Sequence, residues 1–154
     1  MAVSPQMQAR LDKIQNLVDQ GYTVSRQWES IPVLKSSEGL SRNLINNGPA
    51  GFSWIGFFFP FAVCTQIREW SYFAVYGISC LLISFITSII GVDLWWLEFI
   101  VDVAYGFFYP YLRFMAIKKD VKEIDRLPSI LLGFTLFITI NILAYIFMRN
   151  YFIL

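Results

Sequence analysis

The sequence predicts an all-α integral membrane protein, and two observations carry that prediction. Hydrophobic residues make up 56% and aromatic residues 18% of a 154-residue chain, more than a soluble domain of this size carries. Residues 43–67, 70–92 and 127–148 contain no Asp, Glu, Lys or Arg. Each of these gaps is long enough for a helix to cross about 30 Å of hydrocarbon. Histidine is absent, which removes the usual general base and the commonest metal ligand together. The expected architecture is a cytosolic N-terminal region, residues 1–49, with an amphipathic helix over 4–20, followed by a membrane domain over 50–154. That domain is expected to hold one re-entrant or interfacial helix-break-helix segment at 50–66 and three transmembrane helices at 71–92, 94–117 and 129–148. The first 20 residues lack the apolar centre of a secretory signal, so the later segments must direct insertion.

The N-terminal helix is read from its punctuation. Ser4 is a candidate N-cap, Pro5 suits the first helical position, and Gly21 is a natural residue just past the end. Met7, Leu11, Ile14 and Val18 recur at helical spacing, a stripe that suits the membrane surface, the body of the protein or a partner. Residues 22–49 are polar and punctuated by Ser36, Ser37, Gly39, Asn46, Asn47, Gly48 and Pro49. They read as an irregular connector with a short helix around 39–46 and Trp28 as its one large anchor.

Pro60 breaks the next apolar segment near its middle, because its ring and missing N–H interrupt a helix of only ~25 Å. Gly51 and Gly56 ease a reversal there. The span over 71–92 is free of charge, and Gly77, Cys80, Ser84, Thr87, Ser88 and Gly91 follow helical spacing as a face along which a neighbouring backbone approaches closely. Only Val92 and Asp93 separate it from 94–117, so the two are expected to form a tight antiparallel hairpin, with Trp95 and Trp96 as interfacial anchors. The charged segment KKDVKEIDRLP, 118–128, precedes the last span. Cys64 and Cys80 both fall in hydrophobic segments, where a thiol behaves as a small apolar group.

Charge placement orients the chain. Lys118, Lys119, Lys122 and Arg126, with Arg113 just before them, mark the 118–128 loop as cytoplasmic, and the turn at 92–93 holds no base. If 50–66 doubles back at Pro60, the N-terminal region with Arg10, Lys13, Arg26, Lys35 and Arg42 stays on the same side. A full crossing would put those bases outside, against the same rule. The expected topology is therefore N-terminus in and C-terminus out.

The run Phe52, Trp54, Phe57, Phe58, Phe59, Pro60 and Phe61, with Arg68 and Trp70 after it, resembles the F-x-W-x-x-F-F-F-P-F opening of an uncharacterised family of small bacterial inner-membrane proteins, a domain of unknown function. The family's apolar hairpin and Tyr- and base-rich segment are loosely matched by Tyr105, Gly106, Tyr109, Tyr111, Arg113, Lys118 and Lys119, so the resemblance covers about residues 50–125. It implies location in a bacterial inner membrane and no particular activity.

One constellation is a candidate for chemistry. Glu98, Asp102, Tyr105, Tyr109 and Arg113 recur at spacings of three and four and share a helix face. Asp102 lies ~12 Å from the start of that helix. A carboxylate at such depth costs on the order of 3 kcal/mol, so it must find a partner. Depth counting puts Asn141 level with Asp102 and Glu69 level with Arg113. The stripe locks helices together, forms a proton- or ion-sensing carboxylate pair, or meets a partner subunit. The sequence shows no Gly-rich phosphate loop, metal-ligand cluster or activated nucleophile. Two functions follow: a non-catalytic accessory, assembly or scaffold subunit, or an ion- or proton-coupled channel or transporter component built on Glu98 and Asp102. Expected partners are lipids and other membrane subunits or further copies of the chain, with no nucleic acid and no cofactor.

Overall fold

The computed structural model describes residues 3–27, 30–42, 44, 48–92 and 94–151. Helix α1 (Pro5–Asp19) starts where the Ser4 hydroxyl accepts from the Met7 N–H at 3.3 Å. It ends at Gly21, whose φ of +92° turns the chain at no steric cost. Met7, Leu11 and Ile14 are buried, and the stripe packs on the chain's own helix over residues 98–118.

The next segment departs from the expected irregular connector. Strands β1 (Thr23–Gln27), β2 (Ile31–Lys35) and β3 (Ser41–Arg42) form an antiparallel meander in the order β1-β2-β3, with Val24 opposite Leu34 and Leu34 opposite Arg42. The strand signal is short and interrupted by Ser25, Arg26 and Pro32, so it is weak in one dimension. Tertiary burial of Val33 and Leu34 supplies what the pattern lacks. Pro32 falls where β3 does not reach, which is where a strand tolerates a missing donor. The Ser- and Gly-rich stretch is the turn of the second hairpin: the Ser36 N–H donates to the Leu40 carbonyl and Gly39 adopts a φ of +81°. The expected helix around 39–46 is contradicted at Ser41–Arg42, which are strand, and met at Leu44, which is helical, while residues 43 and 45–47, like Trp28, lie outside the described residues.

Two short helices follow, α2 (Trp54–Phe58) and α3 (Pro60–Gln66), separated at Phe59, whose φ of −133° and ψ of 47° leave the helical region just before the proline. Helix α4 (Ser71–Ile90) begins after a turn in which Arg68 takes the left-handed conformation, φ 56°, and the Glu69 N–H closes on the Cys64 carbonyl at 2.7 Å. It ends at Gly91, also left-handed. A single 3-10 turn (Trp95–Leu97) leads into α5 (Glu98–Lys118), and α6 (Arg126–Tyr151) completes the chain.

Helix α5 is the axis of the core. Pro110 sits inside it and cannot donate to the Gly106 carbonyl. That carbonyl is taken instead by the Ser53 N–H at 2.8 Å, from the chain entering α2. The same glycine leaves room for the Phe52 ring, which a Cβ there would strike. Gly56 repeats the device, since its added Cβ would come within 2.8 Å of the Tyr109 Cβ. It is therefore a packing contact rather than part of a turn; Gly51, with a φ of +66°, does turn the chain. On the other side, Gly133 of α6 meets the Phe61 backbone so closely that no side chain fits. The aromatic segment is thus clamped between α5 and α6.

Two helices are long and apolar enough to cross a membrane: Ser71–Ile90, with 17% of its most apolar window buried, and Arg126–Phe147, with 11%. The third expected span, 94–117, is divided in character. Its first turns carry Glu98 and Asp102, and residues 109–116 are continuously buried as core.

Candidate functional site

The polar stripe of α5 is met by a feature of α4 that spacing arguments on small residues overlook. Tyr72 and Tyr76, four apart, donate to the two carboxylates, which are also four apart: Tyr72 Oη to Asp102 Oδ1 and Tyr76 Oη to Glu98 Oε2, both at 3.3 Å. The antiparallel packing of α4 on α5 makes the earlier tyrosine reach the later acid. The rings form a continuous column, with Tyr72 over Tyr76 at 5.8 Å and Tyr105 edge-on to Tyr72 at 4.8 Å. Asn141 of α6 lies beside the Tyr76 hydroxyl and donates to the Phe137 carbonyl one turn back at 2.8 Å. The acids, the two tyrosines and Asn141 thus form one ladder across three helices.

The lower stripe residues belong to a different network. Arg113 is 8% exposed and donates from Nη1 to the Tyr109 hydroxyl at 2.7 Å and from Nη2 to Glu123 at 3.0 Å. Glu69, expected opposite Arg113, instead accepts from both terminal guanidinium nitrogens of Arg26 from β1, one of them at 3.0 Å, and from the Ser71 hydroxyl at 2.6 Å. Depth counting missed both pairs because it considered only residues on crossing helices. The true partners lie on a strand and on the loop just beyond α5.

The small-residue face is only partly used. Cys80 is buried and Gly77 approaches Ile140 of α6, where an added Cβ would sit at 3.5 Å. Ser84 and Thr87 are half-buried, and Ser88 and Gly91 are exposed. The face that does pack is aromatic: Tyr72, Phe73 and Tyr76 with Cys80. Cys64 and Cys80 are buried free thiols. Pro60 opens α3, whose residues Ala62–Gln66 are buried between α5 and α6, while Trp54, Ile55, Phe58 and Phe59 before it are exposed. Among the described residues, no group of three His, Cys, Asp or Glu side chains is placed to hold a metal.

Two clefts flank these networks. One of about 700 Å³ lies between β1 and the end of α5 and is lined by Arg26, Arg68, Glu69, Lys118 and Lys119, so the sheet and the basic loop meet at one end of the molecule. The other, about 600 Å³ and mostly apolar, lies between the α2–α3 break and the start of α6. No family model, curated protein or solved structure matches this chain.

Proposed function

We propose that this chain is a multi-pass protein of a bacterial inner membrane that serves as a non-catalytic accessory, assembly or scaffold subunit. In this reading 71–92, 94–117 and 129–148 cross the bilayer, and 50–66 enters and turns back at Pro60. The sheet and the 118–128 loop then lie on the cytoplasmic side. The observation that carries it is the occupation of the intramembrane acids by the chain's own tyrosines: an acid already satisfied by neighbouring phenols is a helix lock. The Gly106 carbonyl freed by Pro110 accepts from Ser53, and Pro60 itself is buried, as a break at membrane depth requires. The exposed aromatic face of α2 and the apolar outer faces of α4 and α6 offer surfaces to lipid and to partner helices.

Gentle extraction followed by native mass spectrometry tests this reading. A stoichiometric partner, or a defined homo-oligomer, is the expected result; a monomer in native lipid speaks against a subunit role. The second reading, an ion- or proton-coupled component, is favoured by the placement of two half-buried carboxylates one turn apart on one face. It requires that Asp102→Asn change flux in proteoliposomes, and an unchanged or absent flux removes it.

A further inference from the structure

We infer that the apolar cavity beside the α2–α3 break is a binding site for one acidic phospholipid, an inference that rests on the membrane reading above. The cavity, about 600 Å³, is of the size that holds a ligand of a few tens of atoms. Its walls are Ile55, Phe59, Phe61, Ala62, Ile130 and Phe134, and four of these, Ile55, Phe59, Ile130 and Phe134, are also exposed. From Arg126 to Phe134 the wall runs along α6 for ~12 Å. One end is therefore polar and the rest apolar, in the order of a lipid head and its chain.

The polar end is built for an anion. Arg113 lines it, is 8% exposed, and keeps its Nε–H without a hydrogen-bond partner while Nη1 and Nη2 are engaged. Arg126 also lines it and enters no ion pair among the described residues. Its charge stands in the first turn of α6, which holds no acid, so an arginine sits at the positive end of a helix dipole. A phosphodiester at this point meets the exposed Arg126 guanidinium and a helix N-terminus, with the buried Arg113 behind them. Glu123 neutralises Arg113, and Asp125 precedes Arg126 without an ion pair to it, so Arg126 is the guanidinium of this cleft left free to meet an anion. A soluble anion would leave the apolar walls wet; an acyl chain covers them.

The protein is reconstituted into vesicles of phosphatidylcholine with a minority of phosphatidylglycerol, extracted in mild detergent, and the retained lipid is read by native mass spectrometry. The expected result is one phosphatidylglycerol per chain, retained in preference to phosphatidylcholine. Arg126→Gln, at an exposed position, weakens that retention about tenfold, the worth of one charge-assisted contact. Glu123→Gln strengthens it by releasing Arg113, and Ile130→Trp blocks the chain channel and abolishes it. Equal retention of the two lipids, or a ratio unmoved by Arg126→Gln and Glu123→Gln, overturns the site. So does displacement by glycerol phosphate alone, which would mark a soluble phosphate ester as the ligand. Resistance of the vesicle-bound protein to alkaline carbonate reads membrane insertion separately: an inserted protein without lipid preference sinks only the site, and a protein washed off the vesicles sinks the membrane reading as well.

Discussion

The two ends of the helix bundle are built by different rules. At the end that carries the sheet and the basic loop, α3, the second half of α5 and the first turns of α4 are enclosed as in a soluble core, with buried tyrosines and two ion pairs holding them. At the end that carries the α4–α5 hairpin, residues 81–90 of α4 have no buried member, and large side chains such as Leu82, Phe85 and Ile89 face outward. Stability within the chain is thus concentrated at one end, and the other end depends on its surroundings. The tyrosine–carboxylate ladder sits at the border between the two.

This contrast can be broken most severely at Gly133, where α6 touches the Phe61 backbone. Gly133→Val forces backbones apart and costs about 3 kcal/mol or more, seen as lost folded yield and a lower unfolding temperature in mild detergent. Ile89→Ala at the open end, where the side chain is 66% exposed, changes the same measurement by less than about 0.5 kcal/mol. Glu69→Ala removes the acceptor of the Arg26 guanidinium and costs about 2 kcal/mol, below the value for a fully buried pair because the Arg26 side chain is 28% exposed. Its check is the detachment of the N-terminal region, read as faster proteolysis at residues 20–40.

The ladder sharpens the contrast on a finer scale. Tyr72→Phe removes one hydrogen bond to Asp102 and costs about 1 kcal/mol, and Tyr72→Phe combined with Asp102→Asn costs less than the sum of the two single changes if the pair is a direct contact. Smallest is Arg68→Gly, which relieves a non-glycine residue held left-handed and raises stability by about 0.5 kcal/mol after the added freedom of the unfolded chain is counted.

Much of the backbone plan is legible in the residues. Ser4, Pro5 and Gly21 bracket α1, and Pro60 marks the division between α2 and α3. The sheet is not legible because strands of five residues containing Ser25, Arg26 and Pro32 show no alternation strong enough to stand without their tertiary contacts. Asp102 and Glu98 stand out in the sequence because acids in an apolar run are expensive, yet their donors do not. Tyr72 and Tyr76 look like ordinary interfacial aromatics until the register of α4 on α5 is known. The Arg113–Glu123 and Arg26–Glu69 pairs fail for a related reason, since helix depth carries no information about loops and strands. Pro110 is visible at once; its partner Ser53 is not, because only the folded chain brings that N–H to the Gly106 carbonyl.

In the proposed topology the sheet and the 118–128 loop, neighbours in the fold, face one aqueous compartment and the α4–α5 turn faces the other. Single cysteines placed at Lys35, Lys122 and Val92, all exposed, can be probed in intact cells with a membrane-impermeant maleimide while the buried Cys64 and Cys80 stay in place. Labelling at 92 with protection at both 35 and 122 is the predicted result. Labelling at 35 with protection at 122 would separate the two regions across the bilayer and contradict the account.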